Sequence, residues 1–127
     1  MNVRFYYAGL ACIFLSALLG AGCHKNAAEE SLSSDANGFF CQQCSAKFYT
    51  SAGFYADHCP QCKSSDLRPI IGFVCYKDHH TTLTPQGPKS IACEQCQALA
   101  TGLKMPRESE LKAWGAVKKT PAEVGAK

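Results

Sequence analysis

The chain has 127 residues, 13 Lys and Arg against 10 Asp and Glu for a formal net charge of +3, and nine cysteines. So short a chain forms one small unit and cannot bury a large apolar core, which excludes an architecture of several domains and calls for another source of folding free energy. A charge this close to balance carries no basic stripe and excludes the usual kind of nucleic-acid surface.

Residues 1–22 read as a signal peptide. Arg4 supplies the positive start, residues 5–19 form an apolar run broken only by Ser16 and two small residues, and small residues precede Cys23. The run is too short and wrongly flanked for a membrane span. Leu19-Gly20-Ala21-Gly22-Cys23 resembles the lipobox of bacterial lipoproteins, with Leu displaced one place from its usual position. The resemblance implies that Cys23 is lipidated and begins the mature chain, and that Cys12 leaves with the signal. A multiply acylated cysteine gives stable attachment, so the expected location is the cell envelope, outside the cytoplasmic membrane. Residues 23–38 lack apolar periodicity and read as that lipidated cysteine followed by a flexible tether.

The fold class expected after the signal segment is small, metal-stabilised and mostly β, with tandem ribbons and a short C-terminal helix. Phe39-Phe40 leads into Cys41-x-x-Cys44, and Lys47-Phe48-Tyr49-Thr50 and Gly53-Phe54-Tyr55 read as short strands around a turn at residues 51–53. Pro60 fixes φ inside Cys59-Pro60-Gln61-Cys62. Residues 67–74 form the longest β-prone run and deliver Cys75, while the Pro and Gly in residues 83–89 predict a loop. Pro106 followed by Arg107, Glu108 and Glu110 reads as a helix start, with Leu111, Trp114 and Val117 on one face. That face is expected to pack Trp114 back onto a ribbon. The expected divisions are a first ribbon over 39–74, a second half over 75–105, and a short helix and frayed tail over 106–127.

The chemistry lies in residues 41–96, which hold seven thiols together with His79 and His80. Two Cys-x-x-Cys turns brought together by a hairpin can close a tetrahedron of thiolates around Zn²⁺. Cys41, Cys44, Cys59 and Cys62 form the first such set, with fourteen residues between Cys44 and Cys59. Cys75, one of His79 and His80, Cys93 and Cys96 form the second, with twelve or thirteen residues between the histidine and Cys93. The two sets have nearly the same period. Asp78 beside His79 reads as a solvated loop charge or a partner to that histidine. His58 reads as a neighbour of Cys59, and His24 carries no signal.

The region from 39 to 105 resembles a zinc ribbon, and Cys59-Pro60-Gln61-Cys62 matches the common form of its second knuckle. Typical knuckles carry Gly after the second cysteine, where this chain has Ser45, Lys63 and Gln97. The resemblance implies two zinc ions and no particular activity. The first set also resembles the rubredoxin-like module of rubrerythrins, which keeps iron open as an alternative there. The histidine in the second set suits zinc better. Disulfides are the usual fate of exported cysteines, but seven thiols would strand one, and bridges within Cys-x-x-Cys close loops too small to stabilise much. No Cys-x-x-Cys is followed by His, which excludes covalent haem, and no strand-to-helix context supports thiol exchange.

Because each set fills four places from protein, the metal is expected to be structural and the chain not an enzyme, with no small-molecule substrate. From Cys23 onward twelve Lys and Arg meet ten Asp and Glu. Two zincs held by seven thiolates bring the charge to about −1, which again argues against nucleic acid. The expectation is therefore a lipid-anchored binding or scaffold module for an envelope protein. Its alternative is a metal- or redox-responsive module.

Overall fold

The computed structural model describes residues 32–126, so the expected signal segment, Cys23 and most of the expected tether lie outside the described residues. The strands are β1 (Ala36–Cys41), β2 (Lys47–Ser51), β3 (Leu67–Cys75), β4 (Thr81–Pro85), β5 (Ile91–Ala92), β6 (Leu99–Lys104) and β7 (Val117–Lys118). Two short helices, α1 (Glu108–Ala113) and α2 (Pro121–Val124), complete the chain. The architecture is mostly β, as the sequence predicts. Among the described residues no helix is long and apolar enough to cross a membrane.

The organising element is β3. Its first residues pair antiparallel with β1 in the register Phe39↔Pro69 to Cys41↔Leu67. Its later residues pair antiparallel with both β4 (Gly72↔Leu83) and β6 (Phe73↔Leu103). The strand thus ends one ribbon and begins the next, and the expected division between residues 74 and 75 falls inside it. This shared strand is why the two ribbons join without a linker.

Apolar side chains gather in three small clusters. Phe39, Phe48, Ala56, Val124 and the ligand candidates Cys41 and Cys59 form the first, with Phe39 and Phe48 stacked at 5.4 Å. Ala36, Tyr49, Ile70, Leu111 and Ala116 form the second, and Phe73, Cys75, Cys93 and Ala100 the third. Gly38 makes the middle cluster possible, because a Cβ there would overlap Leu111 and come within 3.1 Å of Ile70.

Several expectations change at the edges. The tether does not run to residue 38: Ala36 is buried, β1 begins there, and Asp35 Oδ1 accepts the Glu108 N–H at the start of α1 (2.8 Å). Residues 53–55 form no strand; the β1–β2 hairpin turns instead through the first Cys-x-x-Cys. The expected loop over 83–89 begins inside β4. Gly115, at φ 92°, ends the helical run early, so Val117 leaves the expected helix face and joins β7, paired parallel with Phe48 of β2. Trp114 does pack back onto the ribbon side, under the Lys47 ammonium at 4.0 Å from the ring centre. The tail is not frayed. Thr120 N–H donates to Glu123 Oε2 (2.8 Å), Pro121 opens α2, Gly125 closes it in the left-handed region, and Val124 is fully buried.

Candidate metal centres

Four turns build the two centres, and they share one design. In the first turn Ser45 N–H donates to Cys41 C=O (2.9 Å) and Cys41 N–H to Ala46 C=O (3.0 Å). The same two bonds recur at Cys59 with Lys63 and Ser64, at Cys75 with His79 and His80, and at Cys93 with Gln97 and Ala98, all between 2.8 and 3.0 Å. The residue after each second ligand position has positive φ: Ser45 59°, Lys63 64°, His79 59° and Gln97 60°. This backbone state is why Gly is usual there, and the chain adopts it with other residues at a conformational cost.

The turns meet in pairs. Cys41, Cys44, Cys59 and Cys62 form one group and Cys75, Asp78, Cys93 and Cys96 the other, with one ligand atom per residue and all four atoms of a group within 4.8 Å of one another. In the first, Cys41 Sγ lies 3.5 Å from Cys62 Sγ and Cys44 Sγ 3.6 Å from Cys59 Sγ. Four thiolates about 2.3 Å from a central Zn²⁺ would stand about 3.8 Å apart at tetrahedral angles, so the spacing fits an ion and is far too long for a disulfide bond. All seven cysteines among the described residues are free. In the second group Cys75 and Cys96 sulfurs stand 3.5 Å apart, and Cys93 Sγ lies 3.5 and 3.6 Å from the Asp78 oxygens.

The second group therefore differs from the expected ligand set. Asp78 closes it, and neither His79 nor His80 contributes a nitrogen. The reason is local: Cys75-Tyr76-Lys77-Asp78 occupies the turn that Cys-x-x-Cys occupies elsewhere, so the Asp78 carboxylate reaches the Cys93 sulfur while His79 takes the positive-φ place. His80 instead directs its N–H to Asp78 Oδ1 (3.0 Å) and sets its ring 3.8 Å from Glu94. The sequence held the signal, since adding 34 to 41, 44, 59 and 62 returns 75, 78, 93 and 96. His58 lies outside both groups, with its N–H on Val124 C=O (3.2 Å).

The electrostatics show why four such groups want a cation. Burial alone would raise the Cys59 thiol, but the Cys62 and Gln61 N–H groups and the thiols of Cys44 and Cys41 outweigh it and bring it to about 7. The Ala46 N–H favours the Cys44 thiolate, yet burial and competition with Cys59, Cys62 and Cys41 push that thiol up to about 12. Cys96 behaves similarly: the Ala98 N–H is outweighed by burial and by Cys75, Asp78 and Cys93, and its thiol rises to about 11. The His80 N–H and then the surrounding thiols hold the Asp78 carboxyl at about 2, against some burial. The neighbours that favour the charged Cys59 and Asp78 thus oppose charge on Cys44 and Cys96, and a divalent ion between them would remove that conflict.

Cys41, Cys59, Cys75 and Cys93 are buried, whereas Cys62 and Asp78 lie at the surface. Each group thus has inner ligands fixed by packing and outer ones at a surface edge. The geometry supports two cysteine-rich, zinc-ribbon-like sites that could hold metal. No protein family, curated protein or solved structure shows a match to this chain.

Proposed function

We propose that the chain is a lipid-anchored envelope protein whose two zinc ions are structural, and that it acts as a binding or scaffold module. The observation that carries the metal reading is the recurrence of one four-ligand geometry at a spacing of 34 residues. Zinc is the favoured ion because thiolate-rich tetrahedral sites suit it and because the second group, with three thiolates and one carboxylate, departs from the four-thiolate iron centre of a rubredoxin, which the first group resembles. A non-catalytic role follows from the donor count, since four protein ligands leave no coordination position for water or substrate. Attachment through Cys23 rests on the lipobox-like sequence alone, and an envelope partner is the role that such attachment implies.

Elemental analysis of the full chain isolated from its own envelope fraction, with mass spectrometry of the N-terminal peptide, tests this reading. The expected result is a colourless protein with two zincs and an acylated Cys23. A red, iron-containing preparation would replace the scaffold reading with electron transfer, and an unmodified N-terminal peptide would remove the anchor.

A further inference from the structure

The two centres are built alike but not equally held. We infer that the second centre, Cys75, Asp78, Cys93 and Cys96, is an exchangeable zinc site that fills and empties while the first remains loaded. The inference rests on the zinc reading above and adds a division of labour between the ions.

Two independent observations carry it. The first is donor chemistry. Fully ionised, both sets bear four negative charges, so bulk electrostatics do not separate them. The difference is one hard carboxylate in place of a soft thiolate, a poorer match to zinc within an otherwise thiolate site. Each centre has one exposed ligand, Cys62 or Asp78, so the difference lies in the donor atom and not in its exposure.

The second observation is cover. Val124 and Ala126 from the C-terminal end pack on the cluster that contains Cys41 and Cys59, and Asp57 and His58 N–H groups bond to Val124 C=O (2.9 and 3.2 Å). The cluster around Cys75 and Cys93 consists otherwise of Phe73 and Ala100, with Ile71, Ile91, Cys96 and Ala98 at its margin. No residue beyond β6 joins it among the described residues. Opening the second centre thus lifts no C-terminal residue of the described chain from its cluster, whereas opening the first must lift the C-terminal strap.

Release is a ligand exchange without electron transfer: an incoming chelator takes Zn²⁺, the carboxylate stays ionised, and the three sulfurs take up protons from solvent as they leave the ion. The test uses the full chain loaded with zinc and the chromogenic chelator 4-(2-pyridylazo)resorcinol. Two phases of equal amplitude are expected, separated by about tenfold or more in rate, the scale on which even indirect changes around a metal act. N-ethylmaleimide added after the fast phase should label Cys75, Cys93 and Cys96 and spare Cys41, Cys44, Cys59 and Cys62. Asp78→Cys should slow the fast phase in a chain that still holds two zincs. Release of both ions at one rate, or early labelling of the first set, overturns the inference while leaving the two-zinc reading intact. A chain that binds no zinc overturns both. The labelling pattern of the unmodified chain decides the matter even where the variant fails to fold.

Discussion

Glu110 joins the end of β6 to the start of α1. Its carboxylate receives the Lys104 ammonium at 2.6 Å from the end of β6 and the Arg107 N–H at 2.9 Å from the start of α1. Burial would raise this carboxyl, but Lys104 and the Arg107 N–H outweigh it and hold it below its ordinary 4.5. The folded chain therefore binds this proton less tightly than the unfolded chain. Its contribution is complete above the ordinary carboxylate range and is lost as pH falls below it. Glu110→Gln should cost about 1 kcal/mol at neutral pH, and the gap between variant and parent should close on acidification; denaturant melts across a pH series read it directly. A gap that stays constant with pH would show that the charge contributes nothing. Asp78 teaches a different lesson at the same scale. An aspartate in a loop is ordinarily a solvated charge, and adjacent histidines are better-known zinc ligands, so residue type argued for His79 or His80. Position argued for Asp78, because a knuckle is a backbone shape before it is a pair of sulfurs. The unusual Ser45, Lys63 and Gln97 after the other knuckles gain their meaning from the same shape, in which His79 is the fourth member.

Among the elements, the strap of β7 and α2 has the most consequence for the site. Lys119 N–H donates to Tyr49 C=O (2.8 Å) just beyond the β2–β7 pairing, and α2 then carries Val124 into the cluster around Cys41 and Cys59. Burying a valine completely is worth about 1.5–3 kcal/mol, and truncation leaves part of that volume empty. Val124→Ala should therefore lower stability by about 1–2 kcal/mol and also quicken zinc loss from the first centre; thermal melts and chelator release measure the two effects. Unchanged release with lowered stability would mean that the strap supports the sheet but does not guard the metal. The strap was partly legible, since Thr120-Pro121-x-Glu123 followed by Gly125 is a start and stop signal for a short helix. Its burial was not, because a single valine at the end of a polar segment has no periodicity to announce it. The central ribbons were legible for the opposite reason: paired cysteines at fixed spacing constrain both the turn and its distant partner. The sharing of β3 between them depends on which strands pair, which local pattern does not specify.

At the scale of the whole molecule, the interior of the described residues is divided into three small clusters. Cys41 and Cys59 are two of the six buried members of the first cluster, and Cys75 and Cys93 are two of the four in the third. A third of the first cluster and half of the third are therefore candidate metal-ligating cysteines rather than independent apolar packing. A structural zinc contributes about 10–16 kcal/mol of apparent binding free energy in small sites near neutral pH, whereas folded domains of ordinary size retain only about 5–15 kcal/mol in total. Removing both ions should thus exceed any margin that three small clusters can supply. The middle cluster of Tyr49, Ile70 and Leu111 contains no ligand and is the part best able to keep residual order. Treatment of the zinc-loaded chain with excess chelator should abolish its cooperative thermal transition and most of its β-sheet circular dichroism, and stoichiometric zinc should restore both. A stripped chain that kept a cooperative melt would require the apolar clusters to suffice alone, and the metal would then be an accessory to a fold already formed.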